Sequence, residues 1–198
     1  IYIDKNKRLA INEEVYDKKT LAQFNLNETD LVKEKSIEVG NIFPLGTKYA
    51  EEMGLLLTDE NGQAQPPIMG SYGIGLGRLL GTLAEVLSDD RGLVWPETVA
   101  PFQVYLIGLN LDQAIVKQQG EEVYQEMIKA GVEVIYDDRQ EAGAGEKLSE
   151  ADLLGIPYRV VISAKTVKEN KLEFKTRTEE TVNLMTNKEV INCLNKNH

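Results

Sequence analysis

Apolar residues in the first half of the chain follow the short period of β-strands, interrupted by turns and brief helical stretches. Residues 1–11 alternate apolar and polar side chains around a basic turn, which predicts a strand or hairpin. A β-branched and aromatic run at 37–45 predicts a second strand. Apolar positions recur with the helical period at 78–87 and over a short stretch at 49–56, whereas 20–35 indicates only helix fragments and loop. We therefore predict short strands mixed with short helices.

The second half changes to a regular alternation of strand and helix. Residues 102–109 and 132–136 predict buried strands on either side of a helix at 113–130. A polar, flexible loop at 137–147 leads through a short helix to a third strand at 158–163. Two edge strands and a closing helix are predicted at 172–175, 182–185 and 187–194. Strands that alternate with helices are typical of a parallel or mixed α/β sheet.

A stretch rich in turn-forming residues separates the two patterns. Residues 88–101 contain Pro96 and Pro101 and predict a linker. We therefore expect two domains, at 1–97 and 98–198. The hydrophobic fraction of 42% and charged fraction of 27% are typical of globular proteins.

Charge and cysteine content exclude several classes of protein. The net charge of -10 means that any nucleic-acid partner must be bound by a local patch rather than by bulk charge. A single cysteine, Cys193, and a single histidine, His198, cannot form an intrachain disulfide or a four-ligand structural zinc site. No apolar run approaches the roughly 18 to 20 residues of a membrane span. We expect a cytoplasmic protein, and the start at Ile1 without methionine indicates truncation.

The glycine-rich segment 70–78, GSYGIGLGR, is the main candidate for ligand chemistry. It contains neither the Gly-Lys-Ser/Thr of a P-loop nor the GxGxxG dinucleotide pattern. Missing side chains let a flat ligand lie against the backbone, and Arg78 supplies a planar cation that can stack on a base and reach phosphates. Tight packing of a strand against a helix, with an exposed arginine, explains the same residues, so both interpretations stay open.

Five segments occur together in an order and spacing that resemble bacterial-type prolyl-tRNA synthetases. They are Ile37 to Tyr49, Met69 to Arg78, Gly92 to Phe102, Val134 to Arg139 and Ala151 to Pro157. The resemblance covers about residues 37–185. It implies a partial antiparallel-sheet catalytic domain of class II, followed by a mixed-sheet α/β anticodon-binding domain. The chain is thereby identified as similar to the C-terminal portion of that family.

The resemblance also implies functional residues and ligands. Gly73 and Gly75 would let ATP approach, and Arg78 would contact it as the catalytic residue. A proline pocket would be built from Glu38, Gly40, Asn41, Phe43, Ser71 and Tyr72. Asn41 and Ser71 stand where the family often has histidine and cysteine, and because both can form hydrogen bonds, proline specificity is expected to survive these two departures.

The implied reaction is attack of the proline carboxylate on the α-phosphorus of ATP, usually with Mg²⁺, followed by transfer of the prolyl group to proline tRNA. A homodimer is expected. The Phe-Arg-x-Glu-like strand that holds the α-phosphate in class II synthetases does not occur in the sequence. We therefore predict that the chain alone cannot form prolyl-adenylate.

RNA contacts are predicted in the second half. Asp138, Arg139, Lys147 and Arg159 offer donors and acceptors for unpaired bases, with Arg139 and Lys147 as the main hypothesis. Ordinary solvated charges on a flexible loop are the alternative. Two further interpretations of the whole chain stay open at this point: another class IIa synthetase, of threonyl or glycyl type, and a synthetase-derived RNA-binding module without catalysis.

Overall fold

The computed structural model describes residues 1–195, and His198 lies outside the described residues. Internal contacts divide the chain into two compact units, of which the first is Ile1–Leu79 and the second starts at Leu80. These units are defined by internal contacts, whereas the predicted boundary at residues 97/98 separates two domains inferred from the sequence. The units do not test that boundary, which stays a prediction. Within residues 1–195 no helix has the length and apolar character needed to cross a membrane.

The first unit consists of short antiparallel strands and short helices. Its strands are β1 Tyr2–Asp4, β2 Leu9–Ile11, β3 Val32–Lys33, β4 Gly40–Gly46, β5 Leu57–Thr58, β6 Ala64–Gln65 and β7 Met69–Ile74. Its helices are α1 Lys18–Gln23, α2 Lys48–Glu52 and α3 Leu76–Leu87, the last of which continues into the second unit. The strands form one three-stranded sheet, β2-β1-β3, and two hairpin-like pairs, β4-β7 and β5-β6.

The predicted hairpin at residues 1–11 is confirmed, and its turn is held by Asp4. This buried carboxylate accepts hydrogen bonds from the backbone N–H groups of Asn6 and Lys7, each at 3.0 Å. A side chain that bonds to the backbone two and three residues ahead stabilises a turn locally. Ile11, Leu21 and Leu26 form the small core beneath this sheet.

The second unit is a five-stranded sheet with helices on both faces. Its strands are β8 Val104–Gly108, β9 Val134–Asp137, β10 Tyr158–Ile162, β11 Leu172–Thr176 and β12 Asn183–Met185. Its further helices are α4 Ala114–Lys129, α5 Ala144–Leu154, α6 Ala164–Lys168 and α7 Asn187–Asn195. The strand order is β12-β11-β10-β8-β9, with β8 parallel to β9 and β10, and β11 and β12 antiparallel. The predicted α/β class with a mixed sheet is confirmed.

Alternate residues of the central strands bury two separate apolar clusters. Val104 and Leu106 of β8 face a cluster with Met127 of α4, whereas Tyr105 and Ile107 face one with Ala151 of α5. Because successive side chains of a strand point to opposite faces, α4 and α5 lie on opposite sides of the sheet. The chain leaves β8 toward one face and leaves β9 toward the other.

The segment predicted as a linker is instead hydrogen-bonded to the second unit. The backbone N–H groups of Leu93 and Trp95 donate to the carbonyls of Leu153 and Gly155 at 3.1 and 3.2 Å. The guanidinium of Arg177 donates two hydrogen bonds, of 2.9 and 2.7 Å, to the Asp89 carboxylate. This arginine holds the pKa of the Asp89 carboxyl well below its usual range. Residues 89–95 are thus part of the folded unit.

Two local predictions differ from the structure. Helix α5 begins at Ala144, so the loop predicted to reach residue 147 is shorter. Helix α6 was not predicted; Ser163 and Thr166 start it by exchanging hydrogen bonds in a capping box. Gly70 and Gly73 of the glycine-rich segment lie within β7, which pairs along its whole length with β4.

Candidate functional site

The glycine-rich segment and the strand at 40–46 lie side by side in the first unit. In the β4-β7 pair, Asn41 lies opposite Gly73, and Phe43 lies opposite Ser71. Directly opposite residues of an antiparallel pair share a face of the sheet. The structure therefore brings Asn41, Phe43 and Ser71 together on one face, as the predicted proline pocket requires.

Tyr72 lies on the other face of the same pair. It is directly opposite Ile42. Because successive side chains of a strand point to opposite faces, the Tyr72 side chain lies on the face opposite that of Ser71 and Phe43. Its side chain is 77% exposed, and Ile42 and Ile74 beside it are also exposed. A pocket that uses the Phe43 face thus does not include the Tyr72 side chain, whose predicted proline contact stays a prediction.

Arg78 lies in the first turn of α3 and ties this helix to the chain segment before β4. Its Nη1 donates a hydrogen bond of 2.7 Å to the carbonyl oxygen of Glu38. The backbone N–H of Gly75 donates to the Val39 carbonyl at 2.9 Å. These two bonds bring the predicted ATP residues next to the predicted proline residue Glu38.

Packing within the described chain does not explain why residues 73 and 75 are glycines. A Cβ at Gly73 would lie 3.8 Å from the Phe43 ring, and one at Gly75 would lie 3.5 Å from the Arg78 Cβ, both ordinary contacts. Neither glycine has a positive φ. Gly40 is different, since a Cβ there would lie 3.0 Å from the Gly73 carbonyl oxygen. Of the two interpretations that the sequence left open, tight packing is therefore the weaker for Gly73 and Gly75.

In the second unit, the carboxyl ends of β8 and β9 create a second candidate site. The connections that leave these neighbouring strands go to opposite faces of the sheet, which opens a crevice between them. Ligands of open α/β sheets bind in such crevices, outside the carboxyl ends of the strands. Residues 109–112 follow β8 and residues 138–140 follow β9, and both segments line cavities at this place.

Two cavities of different character adjoin there, and both are lined by Leu111 and Gln140. The first, which we call the acidic cavity, has a volume of about 440 Å³. Its lining combines the Tyr136 ring with carboxylates and a lysine from α4 and the loop after β9, namely Glu121, Glu122, Asp138 and Lys117. The second, the arginine cavity, has a volume of about 390 Å³ and is lined by Asp112, Arg139 and Lys147 among others.

Asp137 is the centre of a buried polar network that includes Arg139 and Lys147 of the arginine cavity. Its carboxylate accepts hydrogen bonds from Nε and Nη2 of Arg139 at 3.0 and 2.8 Å, and from the Tyr105 hydroxyl at 3.3 Å. Burial raises the pKa of the Asp137 carboxyl, but the bonds from Arg139 and the Lys147 charge outweigh it and lower the pKa to about 2. Burial and the Asp137 charge raise the pKa of Tyr105 to about 12. The network therefore holds an ionised carboxylate under a fixed guanidinium.

Hydrogen bonds hold the Arg139 guanidinium by its Nε and Nη2 atoms, whereas its Nη1 atom is available to a ligand. Nη2 also donates to Glu150, so that Nε and both protons of Nη2 are used. Nη1 has an ion pair with Glu146 at 3.8 Å and no hydrogen bond within the described residues. The side chain is 38% exposed at the arginine cavity. A guanidinium in this position has donors available for a ligand.

The other three predicted RNA residues lie in different surroundings. Asp138 is exposed and lines the acidic cavity. Lys147 lies in α5 rather than in a flexible loop, and its side chain is 1% exposed. Arg159 aligns with Tyr105 in the sheet, ion-pairs with Asp152 at 3.6 Å, and lines neither cavity. The structure thus brings Asp138, Arg139 and Lys147 together but not Arg159.

Sequence reasoning missed the residues that hold this site in place. Asp137, Glu150 and Tyr136 were not among the candidates, although Asp137 directly follows a predicted strand and stands two residues before an arginine. That position, at the carboxyl end of a parallel strand, was the available signal. Glu150 lies on a helix 11 residues after Arg139, and only the fold shows that the two meet.

Comparisons with known proteins match the chain to an anticodon-binding family and to proline–tRNA ligases. A family model described as "Anticodon binding domain" matches residues 103–197. Proline–tRNA ligase of Burkholderia cenocepacia is 42% identical over 152 residues, which cover 76% of this chain and 26% of that protein. The proline–tRNA ligase of Dehalococcoides mccartyi is 46% identical over 143 residues, 72% of this chain and 25% of that protein.

Over about three quarters of its length, the chain is similar to prolyl-tRNA synthetases. This confirms the resemblance inferred from the sequence, and the threonyl and glycyl alternatives are not favoured. The chain spans about a quarter of the length of these relatives.

Solved prolyl-tRNA synthetases share the fold. The enzyme of Cryptosporidium parvum, in complex with halofuginone and AMPPNP, has a TM-score of 0.67 at 24% identity, covering 80% of this chain and 33% of that one. The enzyme of Giardia lamblia, in complex with prolyl-adenylate, has a TM-score of 0.64 at 21% identity, covering 77% and 33%. The predicted combination of class II catalytic elements with a mixed-sheet domain is therefore confirmed.

Proposed function

We propose that this chain is part of a cytoplasmic, homodimeric proline–tRNA ligase, in which the second unit binds the anticodon of proline tRNA. The observation that carries the proposal is Arg139, which Asp137 and Glu150 hold at the edge of a cavity while its Nη1 stays available. The match to the anticodon-binding family over 103–197 supports the class of ligand.

The charges around the site favour bases over phosphates. Carboxylates of the acidic cavity repel phosphate groups but accept hydrogen bonds from the N–H groups of guanine. An arginine donates to O6 and N7 of guanine, the commonest specific contact to that base. Proline codons begin with two cytosines, so proline anticodons carry two guanines. Asp138 and Arg139, side by side between the two cavities, match the donors and acceptors of such a base.

In the first unit, we propose that the β4-β7 pair and the start of α3 form one wall of the site for ATP and proline. Gly73 and Gly75 leave the backbone open to the nucleotide, and Arg78 supplies a cation for its base or phosphates. The relatives solved with AMPPNP and with prolyl-adenylate support this class of ligand. Asn41, Phe43 and Ser71 would contact proline from their shared face.

Positioning and charge neutralisation are the contributions that these residues offer to adenylation. When bound with ATP, Mg²⁺ supplies further neutralisation of the phosphates. Residues 1–195 contain no group of three or more histidine, cysteine, aspartate or glutamate side chains that could hold a metal ion.

We expect the isolated chain to show no proline-dependent ATP–pyrophosphate exchange above background. The reason is that no Phe-Arg-x-Glu-like strand is available to hold the α-phosphate. The control is binding of proline tRNA by the same preparation, which shows that the second unit is folded. Exchange above background that Arg78→Ala abolishes would contradict the prediction, because contaminating enzyme would not respond to that substitution.

Filter binding to proline tRNA and to a tRNA with an unrelated anticodon tests the RNA-binding part of the proposal. We expect tighter binding of proline tRNA at one fixed salt concentration, since non-specific RNA affinity depends strongly on salt. Equal affinity for the two tRNAs would count against anticodon recognition.

A further inference from the structure

Lys147 has the largest fully buried side chain in the described chain, which is unusual for a lysine. A lysine ammonium has three N–H donors and no acceptor. All three have partners here: the Gly108 carbonyl at 2.8 Å, the Asp137 carbonyl at 3.2 Å and the Asp137 carboxylate at 3.3 Å. No donor is left for an RNA base or phosphate.

The partners of Lys147 lie at the carboxyl ends of β8 and β9, on either side of the crevice. Gly108 is the last residue of β8, and Asp137 is the last residue of β9. One ammonium therefore joins the two strand ends from which the cavity-lining loops leave. It also compensates the Asp137 carboxylate, the group that holds two nitrogen atoms of Arg139.

We propose that Lys147 is a positioning residue for anticodon binding, which acts through Asp137 on Arg139 and does not itself touch RNA. This rests on the proposed function of Arg139. Lys147 balances part of the negative charge that Asp137, Glu146 and Glu150 place around the guanidinium. Without the ammonium, Asp137 and two backbone carbonyls lose a donor in a buried place, and the Arg139 guanidinium loses its fixed support.

A double-mutant cycle separates positioning from direct contact. We expect Lys147→Met to weaken binding of proline tRNA about 5- to 10-fold in the wild-type background, a coupling within the range for residues of one network. In an Arg139→Ala background the same substitution should change affinity less than about twofold, since the residue through which it acts is gone. Equal losses in the two backgrounds would overturn the inference.

Lys117 provides the matched control. It is an exposed lysine that lines the acidic cavity, and it has no described bond to Arg139. Lys117→Met should change affinity by the same factor with and without Arg139. Coupling of Lys117 to Arg139 as strong as that of Lys147 would show that the cycle reports general charge effects, which would also overturn the inference.

A labelling experiment on the wild-type chain decides the question even if Lys147→Met does not fold. Brief treatment with an amine-specific acetylating reagent, read by peptide mass spectrometry, should modify Lys117 and leave Lys147 unmodified with and without proline tRNA. Modification of Lys147 in the free chain, whether or not RNA then protects it, would overturn the inference. If the wild type does not distinguish proline tRNA from an unrelated tRNA, the proposed function fails, and the inference fails with it.

Discussion

Gly155→Ala is expected to lower the free energy of unfolding of the second unit by about 3–4 kcal/mol, as the sum of backbone strain and overpacking. Gly155 ends α5 with a φ of +68°. A Cβ there would lie 2.0 Å from the Leu93 carbonyl oxygen and 2.3 Å from its carbon, atoms of a backbone that is itself hydrogen-bonded to Leu153 and Gly155. The clash therefore has to be relieved by moving the segment at 89–95 away from the C-terminal end of α5.

Gly131→Ala is the matched control for this prediction. Gly131 follows α4 with a φ of +82°, and a Cβ there would meet nothing within 4 Å. Alanine at 131 should cost about 1 kcal/mol, from the left-handed conformation alone. Urea denaturation followed by circular dichroism measures both values. A loss at Gly155 no larger than the loss at Gly131 would contradict the docking of residues 89–95 on the second unit.

Arg139→Ala is expected to weaken binding of proline tRNA by about 10- to 100-fold, the range for loss of a hydrogen bond from a charged donor. The guanidinium is preorganised by Asp137 and Glu150, so little side-chain entropy is lost when it binds a ligand. The loss of affinity should be larger for proline tRNA than for other tRNAs. Affinity for a tRNA with an unrelated anticodon should change by less than threefold, since a base contact adds specificity rather than general attraction.

Arg159→Ala is the informative comparison for Arg139. It removes the same type of side chain from the same sheet, but Arg159 lines neither cavity and pairs with Asp152. Binding per folded molecule should stay within about threefold of the wild type, because a residue away from the cavities makes no base contact. A loss of cognate affinity at Arg159 as large as that at Arg139 would place the RNA site elsewhere on the sheet.

Most of the strand and helix pattern could be predicted from the sequence because each element has its own periodicity. The unit formed by β8, α4 and β9 combines apolar runs with an amphipathic helix of the expected length, and the hairpin at residues 1–11 alternates clearly. Helix α6 was missed because its five residues are too few for periodicity, and only its capping box marks it.

The candidate sites could be predicted by residue but not by geometry. The glycine-rich segment and the Asp138-Arg139 pair stand out in the sequence, whereas burial depends on contacts between distant parts of the chain. Lys147 in a polar stretch looks like a solvated charge until α5 packs it beneath Gly108, which is 39 residues away. Similarly, pairing with Ile42 of β4 puts Tyr72 on the face opposite Ser71.

The most direct test of the central claim is competition binding with anticodon stem-loop RNAs. A hairpin with the proline anticodon competes with proline tRNA for the chain, and matched hairpins replace each of the two guanines by adenine. We predict that each replacement weakens competition at least about fivefold, at the lower end of the cost of one wrong base, and that Arg139→Ala removes at least one of these differences. Equal competition by all the hairpins against the wild-type chain would contradict anticodon reading by this unit.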